Sequence, residues 1–354
     1  MKKSKRVKRI IIIIIVLFFI ISCVVGYIIT CVEMNKNFGR GDYPDRRYTA
    51  KYFYDHYEND YPRREISFMS GENELKGFIY GADNKRGLIV FAHGIGSGHE
   101  FYLKLLLSLV DRGWCVLAYD ATGSGYSEGE GTMGLPQSVI DLDCALDYVE
   151  SSPELKDLGI YVMGHSWGGY AAAAVLNFDH EIKGCVTMSG YNTPFEMLKD
   201  SCDDMMGKGG FLLYPFVWTY NKAKFGKNSS WSAVDGINKS GIPVLIIHGE
   251  EDDFIRISGA ALYGHKDEIT NPKAEFRLFS EEGRNGHNTY FYTSEFTEYD
   301  EKVLAPKREA LYEKYGNNIP SDECEKFWSS VDAELYNEFN PELIELVDLF
   351  FGKC

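Results

Sequence analysis

Residues 160–174 read Ile160-Tyr161-Val162-Met163-Gly164-His165-Ser166-Trp167-Gly168-Gly169-Tyr170-Ala171-Ala172-Ala173-Ala174. The first four are an apolar run of strand length, and the alanine-rich end is helix-like. Between them lies the pattern Gly-x-Ser-x-Gly, from Gly164 to Gly168. Five residues with three fixed recur by chance, so the context carries the weight: strand, sharp turn, helix. On such a turn the serine stands proud of the sheet, and side chains at 164 and 168 would clash. The helix N-terminus directs free N–H groups at the reacting centre. An ordinary glycine-rich turn is the plain alternative; the context favours Ser166 as a nucleophile.

Outward from this stretch, short apolar runs recur along the chain. They are Glu65–Ser70, Leu75–Tyr80, Gly87–Ala92, Trp114–Tyr119, Ile160–Gly164, Cys185–Ser189, Pro243–His248 and Ala274–Ser280. The first two flank Gly71-Glu72-Asn73-Glu74 as in a hairpin. Helix-like stretches fall between the later runs, at Phe101–Arg112, Pro136–Glu150 and Trp167–Phe178. This alternation predicts an α/β fold with a mostly parallel sheet covered on both faces. Residues 191–240 lack a strand and hold many Phe, Met and Leu. A structureless loop of that length is unusual, so they read as an inserted helical cap. The charged, aromatic stretch from Glu295 to Lys353 is also helix-like.

A serine nucleophile needs a base, and the base needs an orienting acid. On an elbow of this kind the chain order is Ser, acid, His. Only His180, His248, His265 and His287 follow Ser166. His180 follows the serine too closely, His248 closes a strand, and His265 falls on a helical stretch. His287 lies in a loop after the last strand, where the base belongs. The acid belongs at the end of the preceding strand, in Glu250-Glu251-Asp252-Asp253, a run that also fits a solvated turn. For the oxyanion, the backbone N–H of Trp167 is one donor, and the loop His93-Gly94-Ile95-Gly96 supplies the other from Ile95. By chain order His93 braces this loop rather than serving as the base. The glycine-rich run Asp120–Gly129 lacks the Gly-Lys-[Ser/Thr] of a phosphate loop. No metal or cofactor site is indicated.

The 354 residues suit one large domain or two small ones. Net charge is −15, and setting aside the six cations among the first nine residues leaves the remainder at −21. Such an acidic body repels phosphate backbones, which argues against a nucleic-acid partner. Residues 1–9 form a basic head. Ile10–Thr30 then contains no charge over 21 residues, about 30 Å of helix, enough to span a bilayer. The basic flank places the N-terminus in the cytoplasm and the catalytic domain outside. A cleaved signal peptide has a shorter apolar core and a small-residue cleavage site. Ile20-Ile21-Ser22-Cys23 loosely matches a lipobox, but the apolar run continues beyond it. A buried soluble helix would show a polar face, and this one has none. Residues 31–64 read as a stalk, and 65–354 as the catalytic domain. The eight cysteines include no Cys-x-x-Cys pair, so zinc and thioredoxin-type chemistry lack support. Cys115 and Cys185 sit in apolar runs as core fillers.

Taken together, these motifs resemble the α/β-hydrolase superfamily, in its serine aminopeptidase (S33)-like and monoacylglycerol lipase-like branch. The resemblance spans residues 65–290 and rests on His93–Gly96, Asp120–Gly129, Gly164–Gly168, His248-Gly249-Glu250-Glu251-Asp252 and Gly286-His287. It implies a Ser166–His287–Asp252 triad, because the branch's acid comes four residues after the histidine of His-Gly-x-x-Asp; Asp253 is second choice. It also implies an eight-stranded sheet and a cap over the site. Two features depart from the branch: the anchor, and the long segment after His287. Residues 295–341 are therefore expected to be an accessory insertion before a final helix, Glu342–Phe351. The expected activity is hydrolysis of an acyl ester by a membrane-anchored carboxylesterase or lysophospholipase-like serine hydrolase. An aminopeptidase acting on short peptides is the alternative. It would need a cap acid for the substrate amine, with Glu196, Asp200, Asp203 and Asp204 as candidates. A non-catalytic scaffold is the remote third class.

Overall fold

The computed structural model describes residues 2–354. Its strands are β1 (Arg63–Ser70), β2 (Asn73–Tyr80), β3 (Leu88–Ala92), β4 (Cys115–Tyr119), β5 (Ile160–His165), β6 (Ile182–Met188), β7 (Val244–Gly249) and β8 (Ala274–Phe279). They form one sheet in the order β1-β2-β4-β3-β5-β6-β7-β8. β2 runs antiparallel to both neighbours, and the other pairings are parallel. Each strand falls on one of the eight apolar runs of the sequence. Leu88, Val90 and Ala92 pack on one face of the sheet while Ile89 and Phe91 pack on the other. β7 alternates in the same way, as a strand covered on both faces must.

The helices are α1 (Lys2–Asn37), α2 (Tyr54–Tyr57), α3 (Leu103–Val110), α4 (Gln137–Ser151), α5 (Trp167–Ala174), α6 (Pro194–Met206), α7 (Tyr214–Phe225), α8 (Ala233–Ser240), α9 (Ser294–Tyr299), α10 (Ala305–Tyr315), α11 (Ser321–Ser329), α12 (Ala333–Asn337) and α13 (Pro341–Phe351). One face of the sheet carries α4, α5 and α8, and the other carries α3 and α13. α13 shows why: Leu343, Ile344, Val347, Phe350 and Phe351 are buried at helical spacing. Asn340 caps it, accepting from the Glu342 N–H, and Pro341 opens its first turn. The fold is that of an α/β-hydrolase, with an N-terminal helix long and apolar enough to cross a membrane.

Three segments differ from the sequence reading. First, residues 31–64 do not stand off as a stalk. α1 continues to Asn37 and buries Thr30 and Met34, and Phe38 just after it is buried as well. Beyond it, Arg40 donates to the carbonyls of Ser127 (2.8 Å), Gly129 (3.0 Å) and Gly125 (2.6 Å). Tyr43 donates to Asp120 (2.9 Å), and Phe53 is 1% exposed. The aromatic side chains in this segment find partners on the domain, which turns it into a strap. Second, the inserted segment is α6 and α7 with their short 3-10 turns, residues 194–230, while α8 belongs to the sheet layer. It packs beside α1, with the Phe216 ring about 3.0 Å from where a Cβ on Gly26 would stand. Third, α9 to α12 gather around Phe296, Leu304, Phe327 and Val331, together with Ala50 of the strap.

Candidate active site

β5 ends at His165 and α5 begins at Trp167, so Ser166 alone makes the turn. Its φ is +57°, a conformation that costs a non-glycine residue about 1–3 kcal/mol and concentrates at functional sites. The flanking glycines permit it. A Cβ on Gly164 would overlap the Gly168 carbonyl, and one on Gly168 would overlap the Ala92 carbonyl. The result is a serine whose Oγ is presented above the C-terminal edge of the sheet.

The structure brings Ser166, His287 and Asp252 together. His287 Nε2 lies 3.0 Å from Ser166 Oγ, and His287 Nδ1 lies 2.7 Å from Asp252 Oδ2. With Nδ1 donating to the carboxylate, Nε2 is left to accept the serine proton. Asp252 is buried, and its Oδ1 accepts from the N–H groups of Phe254 (3.1 Å) and Ile255 (2.8 Å). Asp253 is exposed and takes no part. Burial pushes the Asp252 carboxyl upward. The hydrogen bond and charge of His287 outweigh this and hold it below the usual carboxylate range.

A second layer, not read from the sequence, holds His287. His165 Nε2 donates to the His287 carbonyl (3.2 Å), and its Nδ1 accepts from the Tyr102 hydroxyl (2.8 Å). Burial, then the neighbouring His287 charge, keeps His165 well below its ordinary pKa and therefore neutral. Tyr102 in turn accepts from the Gly94 N–H (3.3 Å), which ties His287, through His165, to the loop after β3. Ser189 also reaches the His287 carbonyl (3.4 Å) and accepts from Tyr290 (2.9 Å). Position x of Gly-x-Ser-x-Gly and the end of β6 were the available signals for His165 and Ser189.

In the loop after β3, Ile95 is half-buried beside the serine. Neither its N–H nor that of Trp167 has an acceptor among the described residues, so both are available to a ligand oxygen. His93 Nε2 accepts from the Ala121 N–H (2.9 Å), which leaves Nδ1 to donate to the Gly94 carbonyl (2.8 Å). That arrangement braces the loop. The Asp120–Gly129 turn is likewise internally satisfied: Asp120 accepts from His99 (2.8 Å) and Tyr126 (2.9 Å). Of the remaining histidines, His248 donates to the Ile255 carbonyl (2.9 Å), His265 meets Glu268 (2.7 Å), and His180 meets Asp143 and Glu150. Asp147, Glu150 and His180 have metal-like spacing, but they sit at the opposite edge of the sheet from Ser166.

A cavity of about 540 Å³ opens over Ser166. Its wall is aromatic, with Phe101, Tyr102, Phe254, Phe291, Tyr292, Tyr336 and Phe339, and it includes Lys51. The inserted segment 194–230 contributes no lining residue, contrary to the expected cap over the site. The strap and residues 288–339 form the roof instead. The four acids considered for a substrate amine are engaged elsewhere. Asp200 accepts from Ala260 N, Asp203 from Tyr214, Asp204 from Arg256, and Glu196 from Thr193.

The sheet order defines the fold class as α/β-hydrolase. Residues 83–197 match the family model of the serine aminopeptidases, S33. The fold is similar to that of the esterase Pf2001 from Pyrococcus furiosus. In one crystal form the TM-score is 0.50 at 17% identity, covering 77% of this chain and 93% of that one. In another it is 0.50 at 16% identity, covering 80% and 99%. No curated protein matches by sequence.

Proposed function

We propose that this chain is a membrane-anchored serine hydrolase that cleaves carboxylic esters through Ser166, His287 and Asp252. The observation that carries the reading is the continuous relay Ser166 Oγ–His287 Nε2 (3.0 Å) and His287 Nδ1–Asp252 (2.7 Å) on a strained turn. In this reading Ser166 Oγ attacks the ester carbonyl while His287 takes its proton. The N–H groups of Ile95 and Trp167 receive the oxyanion. The tetrahedral species collapses as His287 returns the proton to the departing alcohol, leaving an acyl-Ser166. Water then attacks with His287 again as base, releasing the acid.

The aromatic wall supports a substrate with an apolar portion. Engagement of Glu196, Asp200, Asp203 and Asp204 away from the cavity favours esters over aminopeptidase substrates, whose ammonium needs a carboxylate. The anchor rests on the uncharged stretch of α1, whose side chains are exposed to the surroundings. Phe211, Leu212 and Trp218 beside it are exposed as well, as suits a face resting on a bilayer.

The test uses full-length protein in detergent against short- and long-chain nitrophenyl esters, monoacylglycerol and aminoacyl nitroanilides, beside Ser166→Ala. Ester turnover and fluorophosphonate labelling, both lost in Ser166→Ala, are the expected result. Amide cleavage without ester cleavage would replace this reading by the peptidase one. Absence of both turnover and labelling would leave the scaffold class.

A further inference from the structure

Lys51 stands out in the cavity. It is the one charged side chain of the wall outside the histidines, and no carboxylate shares that wall. Lys51 is half-buried on the cavity wall, and its ammonium makes no ion pair or hydrogen bond with the described residues. The nearest compensation is the Phe339 ring, whose centroid is 5.1 Å away. A ring quadrupole offsets part of the loss of water, not all of it. A partly desolvated charge gains from a counter-ion. Burial without a counter-ion pushes the Lys51 ammonium down to about 8, which still leaves it mostly charged at neutral pH. Position matters too. Lys51 lies two residues before Phe53, which locks the strap to the domain, and one before Tyr52, whose N–H donates to Asn337 (2.7 Å). The backbone that carries the cation is thus held between strap and roof. The same cavity contains Ser166.

We propose that Lys51 is a specificity-determining residue, and that the preferred ester carries an anionic group, carboxylate or phosphate, which enters the cavity and pairs with the Lys51 ammonium. This deepens the hydrolase reading and rests on it. The anion replaces the missing counter-ion, and the apolar span between anion and scissile carbonyl lies along the aromatic wall. An anion on the acyl side and one on the alcohol side share this chemistry, so the two are tested separately.

The acyl-side arm compares mono-4-nitrophenyl esters of C4–C8 dicarboxylic acids with nitrophenyl alkanoates of equal length. The alcohol-side arm compares lysophosphatidic acid with monoacylglycerol. At pH 7 the full-length enzyme is expected to favour the anionic member of at least one pair about tenfold or more in kcat/KM, chiefly through KM. Lys51→Gln removes that preference, and Lys51→Arg retains it. The preference declines as pH rises through about 8, where the ammonium loses its proton, and in Lys51→Arg that decline moves to higher pH. Taking the ratio within each pair cancels any pH dependence of the steps that both esters share. Tyr102, Tyr292 and Tyr336 also face the cavity, and burial raises all three above the ordinary tyrosine range, out of this window. Turnover of both pairs without preference, or an equal loss for both members in Lys51→Gln, would overturn the inference while leaving the hydrolase reading intact. If no ester is turned over, binding decides: hexanedioate and inorganic phosphate should raise the thermal midpoint of the Ser166→Ala protein, and not of Ser166→Ala/Lys51→Gln. No rise with either anion also overturns the inference.

Discussion

Asp252 shows how much of the site is set by single side chains. Four acids follow β7, and only Asp252 is turned inward, because its Oδ1 is held by the N–H groups of Phe254 and Ile255. Its Oδ2 is then fixed toward His287. Asp252→Asn keeps the size but offers an amide where a carboxylate stabilised the imidazolium. Under the proposed mechanism kcat falls by about 10⁴ while KM changes little, as steady-state kinetics on a nitrophenyl ester would measure. A fall of less than tenfold would move the acid elsewhere. His165 adds a feature of the same scale. Its neutral ring depends on burial, so it keeps its donor to the His287 carbonyl wherever the domain is folded near neutral pH.

At the scale of elements, β5 and α5 form the most constrained unit. Glycines at 164 and 168 let the helix rest on the carbonyl of Ala92 in β3. That places the end of β3, and therefore the Ile95 loop, beside Ser166. The strap is the other decisive element. Phe53 meets Tyr43 and Phe101 edge-on, with centroids at 5.6 and 5.8 Å, and lies under the Arg46 guanidinium. Phe53→Ala leaves a cavity there and is expected to cost about 3–5 kcal/mol, seen as a lower thermal midpoint. Because Lys51 is two residues away, KM for the anionic esters is expected to rise as well. An unchanged midpoint would mean that the strap is not packed as described.

Across the whole molecule, α1 joins an apolar segment to the domain without a flexible joint. Its last turns are buried, and Phe216 of α7 lies against Gly26. The exposed Trp218 lies on the same helix as Phe216, and the exposed Phe211 and Leu212 lie in the turn before it. The cations of residues 2–9 precede that stretch, and the acidic domain follows it. If the positive end is retained in the cytoplasm, as proposed, a membrane-impermeant lysine reagent added to intact cells should label the domain. Protection until the cells are lysed would reverse this orientation.

Eight strands, three of the sheet helices and the serine turn were legible in the chain because each is a local pattern. Period-two burial, alanine-rich helix and paired glycines act over fewer than twenty residues. The order serine, acid, histidine could be read as well, since the topology of strands and loops orders the side chains along the chain; the choice of Asp252 among four acids came from the family resemblance. The roof could not. Ala50 and Tyr52 meet Asn337 across more than 280 positions, through hydrogen bonds of 2.7 Å in both directions. No periodicity marks either segment, because what buries them is one another. Polar, aromatic stretches read as stalk and accessory insertion when taken singly. Folded together they close the cavity, leave the 194–230 segment beside α1 and bring Lys51 into the wall over Ser166. The serine turn was a matter of local sequence; the enclosure around it arises from contacts between the two ends of the chain.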